Sequence, residues 1–150
     1  MVFRGSIQPY DFITGLCPPL HLIFYTKTRV LDLLFYFDDY ASPGVPSSLT
    51  TEAEVHHGFL VAYNSVADTV ISNVRDQLAL YPSYTLISLG HSLGGALASL
   101  GGVSLAANFR DTPLQVYTFG QPRTGNPSYA DLAEQLIGVD NIYRGVYQLF

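Results

Sequence analysis

Between two clean signals the chain reads Gly90-His91-Ser92-Leu93-Gly94-Gly95-Ala96. Before it, Tyr84 to Leu89 is short, apolar and bounded by Pro82-Ser83, as a buried strand would be. After it, Leu93, Ala96, Leu97, Leu100 and Ala107 recur at helical spacing. A Gly-x-Ser-x-Gly at a strand-to-helix junction is the signature of a nucleophile elbow. Gly90 and Gly94 leave room where a Cβ would clash in so tight a turn, and Ser92 is then lifted above the sheet in a strained backbone conformation. The N–H of Leu93, at the start of the helix, points to where an oxyanion would form. The competing reading is a serine capping an ordinary helix after a glycine-containing turn.

The chain around this turn is α/β in order. An apolar face (Phe59, Tyr63, Val66, Val70, Val74, Leu78) predicts a helix that begins near residues 52–57 and closes at Pro82. Leu114 to Phe119 reads as a buried strand, followed by a structured loop over residues 120–126. Asn126-Pro127 is a helix start, Tyr129, Leu132, Ala133 and Leu136 its buried face, and Gly138 its end. Asn141 to Tyr147 reads as a last strand, and Val2-Phe3-Arg4 as the end of an early one. This alternation predicts a mostly parallel sheet with right-handed crossovers.

With 150 residues, 48% of them hydrophobic, the chain holds one domain with a real core. A net charge of -5 without a basic run argues against nucleic acid as a partner. Cys17 is alone, so no internal disulfide forms. His56 and His57 are adjacent and lack a third ligand at suitable spacing, so no metal is expected. No signal peptide precedes Val2-Phe3-Arg4-Gly5, which leaves two alternatives, a cytosolic protein or a chain read without its true beginning, and localisation stays open. The apolar stretches within residues 11–25 and 31–37 are either buried packing, a lipid-facing surface beside a pocket, or sequence foreign to the fold.

Five segments together carry a family resemblance: Val2-Phe3-Arg4-Gly5-Ser6, Val55-His56-His57-Gly58-Phe59-Leu60, Tyr81-Pro82-Ser83-Tyr84, Gly90 to Ala96, and Tyr117-Thr118-Phe119-Gly120-Gln121-Pro122-Arg123-Thr124-Gly125-Asn126. In this order and spacing they resemble the fungal class 3 lipases, triacylglycerol lipases of the α/β-hydrolase fold. The resemblance runs almost throughout residues 52–147. It implies a partial α/β-hydrolase fold over residues 1–150, a mostly parallel sheet with helices on both faces, missing N-terminal and C-terminal elements. It implies Ser92 as nucleophile, Leu93 and Ser6 as the oxyanion-hole residues, and Gly90 and Gly94 as the elbow glycines. It implies no cofactor, a lipid or other ester substrate met at an oil-water interface, and a lid whose entrance lies near residues 31–37. No protein partner is implied.

Two departures qualify it. Roughly residues 10–30 read as an atypical or inserted segment where the lid region should begin, without the family's Trp. In the family, the strand similar to Asn141-Ile142-Tyr143-Arg144 leads to the catalytic Asp, and the catalytic His follows much later; neither has a counterpart here. Asp140 falls at the wrong end of the sheet, Asp131 on a solvent-facing helix side, His21 in the atypical segment, and His91 beside the nucleophile but turned away. The expectation is a truncated member, nearly inactive alone because the serine proton has no base to go to. The alternatives are a non-catalytic lipid- or partner-binding remnant, and a feruloyl esterase or monoacyl-diacylglycerol lipase of the same fold. A sheet lacking outer elements is also expected to expose its edges and one helix-binding face, and to associate through them.

Overall fold

The structure is a computed structural model that describes residues 2–3 and 36–146. Its centre is a four-stranded parallel sheet in the order β1 (Val2–Phe3), β4 (Leu86–His91), β5 (Leu114–Phe119), β6 (Ile142–Gly145). Between β1 and β4 the chain forms an antiparallel pair, β2 (Phe37–Asp39) with β3 (Glu54–His56), and then helix α1 (His57–Leu80). Helix α2 (Leu93–Asn108) follows β4, and α3 (Pro127–Ile137) follows β5. The expected order of helices and parallel strands is present from α1 onward.

Helix α2 lies at the heart of the core. Nearly every residue from Leu93 to Ala107 is buried, so the helix is apolar all round, as a fully enclosed helix must be. Its small residues set how near it comes to the sheet. A Cβ on Gly102 would stand 2.5 Å from Cγ2 of Val116 on β5. On the sheet side, Ser88 of β4 donates its hydroxyl to the carbonyl of Ala98 at 2.8 Å, so this buried polar group is satisfied. On the other side, α2 packs on α1 and α3. Helix α1 contributes Phe59, Tyr63, Ala67 and Val70 at i, i+4, i+8 and i+11, with Val66 and Val74 half-buried beside them.

Helix α1 starts at the last residue of the expected range. Glu54–His56 is strand rather than helix, because each residue has a partner in β2: Asp39, Asp38 and Phe37 in turn. Val55 also bridges Gly125. Cross-strand pairing thus outweighs the helical pattern until His56, whose Nδ1 accepts the N–H of Gly58 at 3.1 Å and caps α1. At α3 the expected cap is observed. Asn126 Oδ1 accepts the N–H of Tyr129 at 2.9 Å, Pro127 opens the helix, and Gly138 with φ 88° closes it.

Helices α1, α2 and α3 lie on one side of the sheet, α2 against the strands and the other two against α2. Cross-strand register puts Val2, Leu89, Tyr117 and Tyr143 in one row on the opposite side. That face is not covered by the described helices: Val2, Ile87, Phe119 and Tyr143 are each more than two-fifths exposed. The Tyr117 and Tyr143 rings stack with centroids 4.5 Å apart. Parallel sheets are ordinarily covered on both faces; among the described residues the helices lie on one face only. No described helix is long and apolar enough to cross a membrane.

Three buried tyrosines join the helical layer. The rings of Tyr40 and Tyr129 meet edge to face at 5.4 Å, and the Tyr129 hydroxyl lies 2.9 Å from Ser99 Oγ. Burial pushes the Tyr63 hydroxyl up to about 12 and raises Tyr40 and Tyr129 well above the ordinary tyrosine range. The sign follows from linkage. In the unfolded chain these phenols ionise from pH 10, whereas the folded chain keeps them neutral, so stability falls as pH rises from 10 towards 12. Denaturant unfolding at a series of alkaline pH values should show this loss.

Candidate active site

The turn between β4 and α2 lies at the C-terminal edge of the sheet. Ser92 has φ 55° and ψ -127°, and it is the one non-glycine residue with positive φ among those described. For a residue with a Cβ this conformation is strained by about 1–3 kcal/mol and persists only where the surroundings over-determine it. They do so from both sides. The Ser92 N–H donates to the carbonyl of Phe119 at 2.9 Å, and the Ser92 carbonyl accepts the N–H of Gly95 at 2.8 Å. A Cβ on Gly90 would fall on the carbonyl of Gly94, so the end of the strand and the first helical turn share space that only glycine leaves open.

The capping alternative does not describe Ser92. It occupies the N-cap position, but its side chain makes no cap hydrogen bond and its backbone is not extended. The half-buried serine therefore has a hydroxyl that does not serve the helix. Leu93 begins α2 with its side chain buried, so its N–H belongs to the first-turn group that lacks intrahelical acceptors. The positive end of the helix dipole lies at the same place.

Of the other residues read from the sequence, Ser6 and His21 lie outside the described residues. His91 is exposed at the end of β4. Asp131 is exposed on α3, and Asp140 is exposed in the short turn that precedes β6, at the end of the sheet away from Ser92. His56 is buried and caps α1. His57, half-buried, places Nδ1 against the carboxylate of Asp38, its N–H donates to the carbonyl of Tyr36 at 2.9 Å, and its ring stacks on Tyr36 at 4.5 Å. This pair fastens β2 to α1. Sequence reading missed it because the residues are 19 positions apart and meet only through the β2–β3 register. No group of three or more metal-ligating side chains occurs among the described residues.

The two elbow residues have opposite expected behaviour on substitution. Gly90→Ala should cost about 3 kcal/mol or more, because the added carbon meets backbone that cannot swing away. Ser92→Gly should leave the protein about 1 kcal/mol more stable, since relief of the positive-φ strain exceeds the entropy cost of glycine. Urea unfolding of the two variants beside the unaltered chain checks both signs.

Known proteins share this arrangement. The family described as Lipase (class 3) matches residues 1–149. The lipase of Rhizopus niveus is 36% identical over 111 residues, covering 72% of this chain and 26% of that protein. The crystal structure of a triacylglycerol lipase from Penicillium expansum superposes with a TM-score of 0.70 at 32% identity, over 83% of this chain and 46% of the other. A second triacylglycerol lipase structure, described as having a serine protease triad at its catalytic centre, superposes with a TM-score of 0.65 at 37% identity, over 77% of this chain and 41% of the other. The chain therefore spans less than half the length of these relatives, with an α/β-hydrolase topology. From the elbow, the surrounding sheet and these matches together, the chain belongs to the class 3 lipase family.

Proposed function

We propose that Ser92 is the nucleophile of carboxylic ester hydrolysis directed at lipid esters. The observation that carries this reading is the strained, uncapped Ser92 at the head of α2. In the reaction, Ser92 Oγ attacks the ester carbonyl carbon as its proton passes to a general base. The Leu93 N–H and Ser6 would donate to the oxyanion of the tetrahedral intermediate. Collapse expels the alcohol and leaves an acyl-serine, which water cleaves to release the fatty acid and restore the hydroxyl. Leu93 is favoured as donor because its amide sits at the positive end of a helix, where negative charge is stabilised. The lipid preference draws support from Tyr36, Phe37 and Phe119, exposed aromatic rings around the same end of the sheet. Arg123, in the loop after β5, lies over the Phe37 ring at 5.4 Å.

In this reading the described residues supply the nucleophile and one oxyanion donor, not the base. His56 is committed to its cap and His57 to Asp38. With the described residues alone, turnover is then slow. A site with oxyanion stabilisation and binding alone retains on the order of 10³-fold acceleration over water, far short of an intact triad.

Two assays test this. A fluorophosphonate ester should add its mass to Ser92, faster when imidazole is supplied as a free base, and Ser92→Ala should carry no adduct. Hydrolysis of a short-chain p-nitrophenyl ester should be weak and should vanish in the same variant. Equal labelling or turnover in Ser92→Ala would rule out Ser92 as the nucleophile. Binding of lipid vesicles that is identical in both proteins, without any adduct, would point instead to a non-catalytic lipid-binding role.

A further inference from the structure

The segment that follows β5 wraps the outside of the elbow. Phe119 accepts the Ser92 N–H, and Gly120, with φ 57°, then turns the chain while its own N–H donates to the Gly145 carbonyl at 2.8 Å. Gln121 comes to rest against the first turn of α2. A Cβ placed on Gly95 would stand 3.1 Å from Gln121 Cβ and 3.3 Å from its Cα. Gly95 is the residue whose N–H closes on the Ser92 carbonyl, so Gln121 presses on the turn that carries the strained serine.

Chain connectivity alone does not hold Gln121 there. Its carbonyl accepts from Arg144 Nη2 at 3.1 Å, and its side-chain Nε2 donates to Thr124 Oγ1 at 2.7 Å. The Thr124 hydroxyl donates in turn to the Pro122 carbonyl at 3.2 Å. Thr124 is buried, and its carbonyl accepts the His56 N–H at 2.9 Å. The bracket thus ties Gln121 to β6 on one side and to β3 on the other.

We infer that Gln121, fixed by Thr124 and Arg144, is a positioning residue for the nucleophile elbow. A serine in the positive-φ region reverts to an ordinary conformation unless its neighbours forbid it. One of the two backbone bonds that hold Ser92 ends on Phe119, and Gln121 packs against Gly95, the donor of the other. A bracket of hydrogen bonds with a buried hydroxyl at its centre resists outward movement of that segment more than an open loop would. The inference takes its functional meaning from the reading of Ser92 as nucleophile, but its physical content concerns the placement of the turn.

Amide hydrogen exchange of the full chain, read by mass spectrometry on peptides covering residues 88–98, tests it. Thr124→Val keeps the shape and removes the hydroxyl; Arg144→Leu removes the other support from an exposed site and serves if Thr124→Val does not fold. Each should speed exchange at the elbow about fivefold, the factor equivalent to a hydrogen bond of about 1 kcal/mol. Thr124→Ser and Arg144→Lys should restore it, while α3 and the start of β4 exchange as before. Acceleration confined to residues 120–126, or spread evenly over the domain, would overturn the inference. Fluorophosphonate labelling of the unaltered chain is read separately: no adduct there defeats the nucleophile reading without altering the exchange result.

Discussion

The close approach of α2 to β4 at Gly90 and Gly94 is the contact on which the rest depends. A Cβ on Gly90 would collide with the helix backbone, so the strand can lead into the helix through a single residue. That residue, Ser92, carries the conformational cost as a positive φ. The same closeness continues along the helix, where Gly102 brings the chain onto Val116. A helix this near to the sheet is enclosed on every side, which accounts for its unbroken run of apolar and small residues.

From that helix outward the fold is layered. Helices α1 and α3 seal the side of α2 away from the sheet, with Tyr40, Tyr63 and Tyr129 among the buried side chains. The β2–β3 pair is tied to the end of the sheet that bears Ser92. His56 and Asn126 exchange backbone bonds with the loop after β5 and with Glu54, and the Asp38–His57 pair anchors the same hairpin to α1. The opposite face of the sheet has a different character. Its row of Val2, Leu89, Tyr117 and Tyr143 is held by strand pairing and by one ring stack, not by a described helix.

Much of this was legible beforehand, for reasons local to the chain. The Asn126-Pro127 start and the Gly138 stop of α3 are short-range chemistry, and they occur as read. The apolar spacing of α1 marks the face that meets α2 because a helix repeats every 3.6 residues. The elbow was legible because two glycines around a serine answer a steric demand that few other turns make. Within the range expected for the start of α1, strand β3 had no local signal, because it owes its existence to a partner 15 residues away at its nearest, Asp39 against Glu54 in register. Neither the Asp38–His57 pair nor the Gln121–Thr124–Arg144 bracket has a sequence signal, since each depends on which loops the sheet brings together.

What the sequence by itself determined is the set of elements, their order and the serine turn, all governed by periodicity, capping and the absence of a Cβ at chosen positions. Tertiary structure alone decided that Ser92 is strained and uncapped rather than a helix cap, that the three described helices share one face, and that the loop after β5 braces the turn. The physical reason is common to all three. Backbone strain, face coverage and cross-loop hydrogen bonds are properties of segments far apart in the chain, and they come into being only when parallel strands β4, β5 and β6 align their ends.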